Sequence, residues 1–311
     1  MTTSFPFRFA TALLALVSVA PLDAQRRTRG GSAERETMTH GGLTRSWILR
    51  VPESVARGTA RVPLVIMLHG GGGNAANAER MSGFTPKASA EGFIVAYPDG
   101  TARRGPLLTW NAEHCCGDAM RRDVDDAGFL GTLIDTLVAR GRVDPRRVYL
   151  TGMSNGGMMA HRAAIALGSK VAAIAPVVGA VFGDEPAPRA PVSMLAINGF
   201  DDRSVPWAGG HSASRTAGAW DGTPSAPALQ QGRYWGAAGG CDASPTTRDE
   251  RAVERTSWRC PNGVDVQVVG VKGVGHAWPG GRRGTPRADD PGDAFDATDA
   301  IWRFFAAHPR R

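Results

Sequence analysis

Val148-Tyr149-Leu150-Thr151-Gly152-Met153-Ser154-Asn155-Gly156-Gly157 is an apolar run that stops abruptly in a Gly-x-Ser-x-Gly pentapeptide, with Met158-Met159-Ala160 directly behind it. The β-branched and aromatic residues before the pentapeptide predict a strand. Met158, Met159, Ala163, Ala164 and Ala166 after it predict a helix. A serine on a sharp strand-to-helix turn holds a strained backbone that pushes its hydroxyl clear of the sheet, and only small flanking residues let the neighbouring chain pass so closely. Gly152 and Gly156 stand at those flanking positions. The pentapeptide alone is a weak signal in a chain with 40 glycines, so its context decides the reading.

Upstream, Val62-Pro63-Leu64-Val65-Ile66-Met67-Leu68 is apolar throughout, the habit of a parallel strand covered by helices on both faces. It runs into His69-Gly70-Gly71-Gly72-Gly73-Asn74. Ahead of a serine elbow, a His-Gly-Gly segment is where a backbone N–H for an oxyanion hole is supplied, and Gly71 is the candidate donor. Further strands are expected at Thr44 to Val51, Phe93 to Pro98, Val171 to Val178, Val192 to Ile197 and Val264 to Val271. Helices are expected at Ala127 to Val138 and at Ala294 to Phe305, the latter behind an acidic turn of Asp289, Asp290 and Asp293 that suits a helix N-terminus. Strands and helices alternate along one chain, which predicts a single α/β domain with a mostly parallel sheet. The irregular stretch Trp207 to Gly240 reads as a loop or small lid.

With 311 residues and 42% hydrophobic content the chain can bury a sizeable core. The net charge of +7 comes from scattered arginines, since Lys87, Lys170 and Lys272 are the only lysines. Without a basic stripe or a reading motif, nucleic acid is not expected as a partner. Residues 1–24 have a secretory layout of Arg8, a short apolar core from Ala10 to Val17, and small residues up to Ala24. The expected organisation is a signal segment at 1–24, a polar disordered start at 25–40 and one catalytic domain at 41–311. The mature chain is expected to be secreted or periplasmic and free of the membrane. Export permits disulfides among Cys115, Cys116, Cys241 and Cys260. Cys241 and Cys260 lie in one loop-rich region and are the favoured pair. That choice leaves Cys115 and Cys116 to join each other or to remain buried thiols.

A serine hydroxyl needs a histidine to take its proton and an acid to hold that histidine's tautomer. Downstream of Ser154, His161 falls two turns along the elbow helix, as a surface or packing residue, and His308 falls in the polar tail. His211 stays open, but His276 stands out, because the glycines of Gly273-Val274-Gly275-His276-Ala277-Trp278-Pro279-Gly280-Gly281 let a loop present the ring after a strand. The acid is expected on the turn Asn198-Gly199-Phe200-Asp201-Asp202 that follows Met194 to Ile197. Asp125 and Asp126 read as a helix start. No metal-ligand spacing or nucleotide loop is visible, so neither metal nor cofactor is expected.

Taken together, Leu68-His69-Gly70-Gly71-Gly72, Trp110-Asn111, Cys115-Cys116-Gly117, Asp125-Asp126, the Ser154 elbow, Asp202 with Val205-Pro206, and Gly275-His276-Ala277-Trp278-Pro279-Gly280 resemble the polyhydroxybutyrate depolymerase and feruloyl esterase family of secreted α/β-hydrolases. The resemblance covers nearly all of the chain after about residue 40, and its specific parts are the elbow and the His-x-Trp-Pro-Gly segment. It implies an α/β-hydrolase fold with helices on both faces of the sheet, and a carboxylesterase working through an acyl-enzyme. It further implies Ser154 as nucleophile, Asp202 as acid, His276 as base, and an oxyanion hole from the Gly71 and Asn155 N–H groups. Asp202 is preferred to Asp201 because it stands three residues before Val205-Pro206, as in the family. One departure is that Asn198 stands where family members often carry a histidine. Trp110, Trp207 and Trp278 are expected to line the substrate pocket. The expected partner is a small or oligomeric ester of the hydroxybutyrate, feruloyl or acetyl kind. A serine peptidase on the same fold and a noncatalytic binder are the competing readings, and a p-nitrophenyl ester set against an aminopeptidase substrate separates them.

Overall fold

A computed structural model describes residues 1–2, 35–102, 105–213 and 219–311. Apart from residues 1–2, the expected signal segment lies outside the described residues, as does most of the polar start. The chain opens with β1 (Arg35–His40) and β2 (Leu43–Arg50), then α1 (Glu53–Arg57), β3 (Val62–Leu68), α2 (Ala75–Ser82), α3 (Phe84–Glu91) and β4 (Ile94–Pro98). Next come α4 (Gly117–Arg121), α5 (Asp126–Ala139), β5 (Val143–Met153), α6 (Asn155–Leu167), β6 (Ala173–Val177) and β7 (Ser193–Gly199). It closes with α7 (Ala228–Ala238), β8 (Thr246–Asp249), β9 (Val253–Trp258), β10 (Val266–Val271) and α8 (Ala297–Ala307). Because β1 pairs along its whole length with β2, the ordered domain starts earlier than the expected boundary at residue 41.

One ten-stranded sheet has the order β1-β2-β4-β3-β5-β6-β7-β10-β9-β8. The six strands from β4 to β10 run parallel, and antiparallel pairs flank them on both sides. The central strands carry the longest buried apolar runs, with Leu64 to Leu68, Tyr149, Leu150, Ile174 and Ala196 fully buried. This is what helices covering both faces of a sheet require. From β3 the chain goes to β4 on one side and then returns to β5 on the other, so the carboxyl ends of β3 and β5 flank the point where strand order reverses. Open α/β sheets bind ligands in that crevice.

Some local readings are corrected by the packing. Asp296, not the Asp289-Asp290-Asp293 turn, caps α8, its side chain accepting from the Asp299 N–H at 2.9 Å. Asp125 does start α5, accepting from the Gly128 N–H at 2.9 Å. Asp126 is the first residue of α5, and its side chain turns inward to a buried ion pair with Arg45 at 2.6 Å. The stretch expected to be an irregular lid contains α7, which buries Trp235. Disulfides join Cys241 to Cys260 and Cys115 to Cys116. Among the described residues no helix is long and apolar enough to cross a membrane.

Candidate active site

Ser154 sits between β5 and α6 with φ 55° and ψ −121°, a region that non-glycine residues avoid. Its N–H donates to Val177 O at 2.9 Å, which ties the turn to the end of β6. The turn exists because its neighbours lack side chains. A Cβ at Gly152 would stand 2.5 Å from Gly156 O, and one at Gly156 would stand 2.5 Å from both Leu68 O and His69 O.

Register places the oxyanion segment beside this turn. Leu68 of β3 pairs with Gly152 of β5, so the residues after each strand leave the sheet together. A Cβ on Gly70 would lie 3.6 Å from Ser154 Cβ, and one on Gly71 would lie 3.6 Å from Asn155 Cβ. Gly72 N–H donates to Leu108 O and Gly73 N–H to Gly70 O, which leaves the Gly71 N–H without a protein acceptor among the described residues. Asn155 is the first residue of α6, where a helix N–H has no intrahelical partner. The Asn155 side chain is spent on scaffolding, with Oδ1 accepting from Trp110 N–H at 2.7 Å and Nδ2 donating to Trp110 O at 3.0 Å.

His69 has a part that its motif does not announce. Its fully buried ring accepts from the Gly100 N–H at Nε2 (2.9 Å), so the proton resides on Nδ1 and is donated to Gly70 O at 2.8 Å. Burial, aided by the charge of Arg45, pushes its pKa down to about 4 and keeps it neutral. The ring therefore acts as a strut that orients the Gly70-Gly71 peptide.

Asp202 and His276 meet at the same end of the sheet. β7 and β10 are parallel neighbours with Gly199 opposite Val271, so the turns that follow them run side by side. Asp201 N–H donates to Val274 O at 3.1 Å and locks the two turns together. Asp202 is buried, and its Oδ1 accepts from the N–H groups of Ser204 (2.7 Å) and Val205 (2.8 Å). Its Oδ2 is left to His276 Nδ1 at 2.8 Å. Since a carboxylate oxygen only accepts here, Nδ1 carries the hydrogen and Nε2 presents a lone pair. Asp201 is exposed and takes no part in this contact.

Asn198, at the family's frequent histidine position, belongs to a buried relay behind the acid turn. Trp235 Nε1–H donates to His161 Nδ1 (2.9 Å), His161 Nε2–H to Gln231 Oε1 (2.8 Å), Gln231 Nε2 to Asn198 Oδ1 (3.1 Å), and Asn198 Nδ2 to Gly179 O (3.0 Å). His161 is thus a core residue and not a surface one. Burial lowers its pKa to about 4.

The three tryptophans expected to line a pocket divide. Trp110 and Trp278 are enclosed in the core, with their Nε1–H groups donating to His69 O (3.0 Å) and Thr298 Oγ1 (2.9 Å), so neither offers a free face to a ligand. Trp207 is half-buried against Phe200 and is the one with exposed surface. Leu107, missed in the sequence, is 69% exposed and borders the Gly72 turn.

Known proteins resemble this chain in sequence and in fold. The "Putative esterase NocK" of Nocardia uniformis subsp. tsuyamanensis is 32% identical over 89% of this chain and 82% of its own length. "Feruloyl esterase B" of Piromyces equi is 30% identical over 77% of this chain, which spans only 44% of that relative. Among solved structures, "Acetyl xylan esterase from Aspergillus awamori" superposes with a TM-score of 0.59, at 14% identity, over 88% of this chain and 99% of its own, a likeness of fold. The model of the family "Esterase PHB depolymerase" matches residues 45–225, and the chain, an α/β-hydrolase, belongs to that esterase family.

Proposed function

We propose that the chain is an exported serine carboxylesterase acting through an acyl-enzyme. Ser154 Oγ attacks the ester carbonyl carbon while His276 Nε2 takes the hydroxyl proton, and the Gly71 and Asn155 N–H groups receive the oxyanion of the tetrahedral intermediate. The imidazolium then returns the proton to the departing alkoxide, so that an alcohol leaves and the acyl group remains on Ser154. Water repeats the sequence to release the acid. Asp202 holds the imidazole tautomer and steadies its positive charge.

The observation that carries this reading is that three features follow the carboxyl ends of parallel strands of one sheet. They are a serine in a strained turn, a glycine N–H with no protein acceptor among the described residues beside the first N–H of a helix, and a histidine oriented by a buried aspartate. The substrate class we propose, esters of feruloyl, acetyl or hydroxybutyrate type, rests on the family and on the names of the relatives. Export rests on the charged, apolar and small-residue order of residues 1–24.

The test is hydrolysis of a short p-nitrophenyl ester, an aminoacyl p-nitroanilide, and a panel of feruloyl, acetyl-xylan and hydroxybutyrate-oligomer esters by the wild type and Ser154→Ala. Ester turnover that falls by at least about 10⁴-fold in the variant is the expected result. Retained turnover in Ser154→Ala, or preference for the anilide, overturns the reading.

A further inference from the structure

His276 lies five residues beyond the end of β10, and Asp202 holds its ring at Nδ1. Its backbone is held by something else. The His276 N–H donates to Asp289 Oδ2 at 2.7 Å, across thirteen residues of chain. The sequence leaves room for that approach, because the preceding residue is glycine. A Cβ on Gly275 would collide with the Asp289 carboxylate, reaching 3.0 Å from Cγ, whereas it would stand 3.4 Å from Asp289 Cβ, an ordinary contact.

The segment that delivers Asp289 is itself clamped. Gly280 N–H donates to Pro291 O (3.2 Å), and Arg283 reaches Ala288 O (3.0 Å) and Asp290 (2.7 Å). Arg282 N–H donates to Met81 O (3.0 Å) and Asn77 Nδ2 to Gly284 O (2.8 Å), which fastens the segment to α2, the helix that follows the oxyanion glycines. A carboxylate on a braced loop, aimed at the main chain of the base, fixes where the imidazole stands.

We infer that Asp289 is a positioning residue for the general base, acting through the His276 backbone N–H, and that Gly275 is glycine so that the carboxylate can reach it. This rests on the reading of His276 as base. Misplacing a catalytic group by about 1 Å costs on the order of 10²-fold in turnover. Removing the anchor is therefore expected to lower kcat roughly 10- to 100-fold while leaving KM for a small ester nearly unchanged.

The experiment compares Asp289→Ala, Asp289→Asn, Gly275→Ala, the double variant Gly275→Ala/Asp289→Ala, and His276→Ala. Rates are taken per active site titrated by the p-nitrophenolate burst, so that misfolded protein does not count as slow protein. Asp289→Ala and Gly275→Ala are each expected to lose kcat per site. Asp289→Asn, whose amide oxygen still accepts, should stay within about threefold of wild type. The double variant should be no slower than Asp289→Ala, since the collision partner is gone. Asp289→Ala within about twofold of wild type, Asp289→Asn as damaged as Asp289→Ala, or losses that multiply in the double variant each overturn the proposal. If His276→Ala itself retains activity, the reading of His276 as base fails and the proposal falls with it, whereas an Asp289→Ala that keeps wild-type turnover beside a dead His276→Ala refutes the proposal alone.

Discussion

Lowering the pH from 7 to 5 sets the two buried histidines against the fold. His69 and His161 are each pushed from an ordinary 6.5 to about 4 by burial. Each also faces a fixed N–H donor, Gly100 N–H at His69 Nε2 and Trp235 Nε1–H at His161 Nδ1, so a second ring proton would point donor at donor. Between pH 6.5 and about 4 the unfolded chain binds protons that the folded chain refuses, so stability is complete above 6.5 and is lost as pH falls. By linkage the loss is about 2 kcal/mol per histidine at pH 5, or about 4 kcal/mol for both, a large share of the 5–15 kcal/mol typical of a domain. His114 works in the other direction. It lies between Asp184 (3.0 Å) and Asp221 (2.8 Å), which raise its pKa, so its contribution is present below the unfolded value and lost as pH rises through the folded one. Being partly exposed, that pair of contacts is worth little and does not cancel the loss. Urea unfolding at pH 7.5, 6.5, 5.5 and 5.0 measures the slope, and in His161→Gln, which cannot titrate, about half of it should vanish. A flat profile between pH 7 and 5, or an unchanged slope in His161→Gln, would show that the buried histidines do not couple protonation to unfolding.

Two further predictions concern carboxylates. Asp202→Asn should lower kcat on the order of 10⁴-fold by presenting the wrong partner to His276 Nδ1–H, while Asp201→Asn, exposed and uninvolved, should stay within about tenfold of wild type on the same soluble ester, with circular dichroism confirming both folds. Asp126→Ala should destabilise the domain by about 3–5 kcal/mol in urea unfolding, because it strands the buried Arg45 guanidinium and the Asn111 N–H that Asp126 accepts at 2.7 Å. A loss under about 1 kcal/mol would show that Arg45 finds water instead.

Much of this architecture is legible in the residues, and the illegible parts have physical causes. The strand Val62–Leu68 ends in the structure where its apolar run ends, because a strand buried on both faces has no other composition open to it. The edge strand Thr246–Asp249 is exposed at every position, so it carries no alternation to read. The strained turn at Ser154 is legible because Gly-x-Ser-x-Gly dictates backbone shape, and the Asp202–His276 contact joins the two turns that the family resemblance singles out. The fates of Trp110, Trp278 and His161 do not, because whether an aromatic ring faces a ligand or the core depends on partners distant in sequence, such as Thr298 for Trp278. Asp289 is illegible for the same reason: an acidic turn before a helix resembles a cap, and only tertiary packing shows Asp296 taking that position while Asp289 turns to His276.

Covalent capture of the nucleophile shows whether Ser154 is the residue that becomes acylated. A p-nitrophenyl phosphonate ester forms a bond from phosphorus to the nucleophilic oxygen and expels p-nitrophenolate, leaving a stable mimic of the tetrahedral intermediate. Intact mass, peptide mapping and residual activity are read on the same sample. One phosphonyl group per chain is expected, located on Ser154, with one equivalent of p-nitrophenolate released and activity lost in proportion. Inactivation with the label on another residue, or full labelling of Ser154 with ester hydrolysis intact, would contradict it.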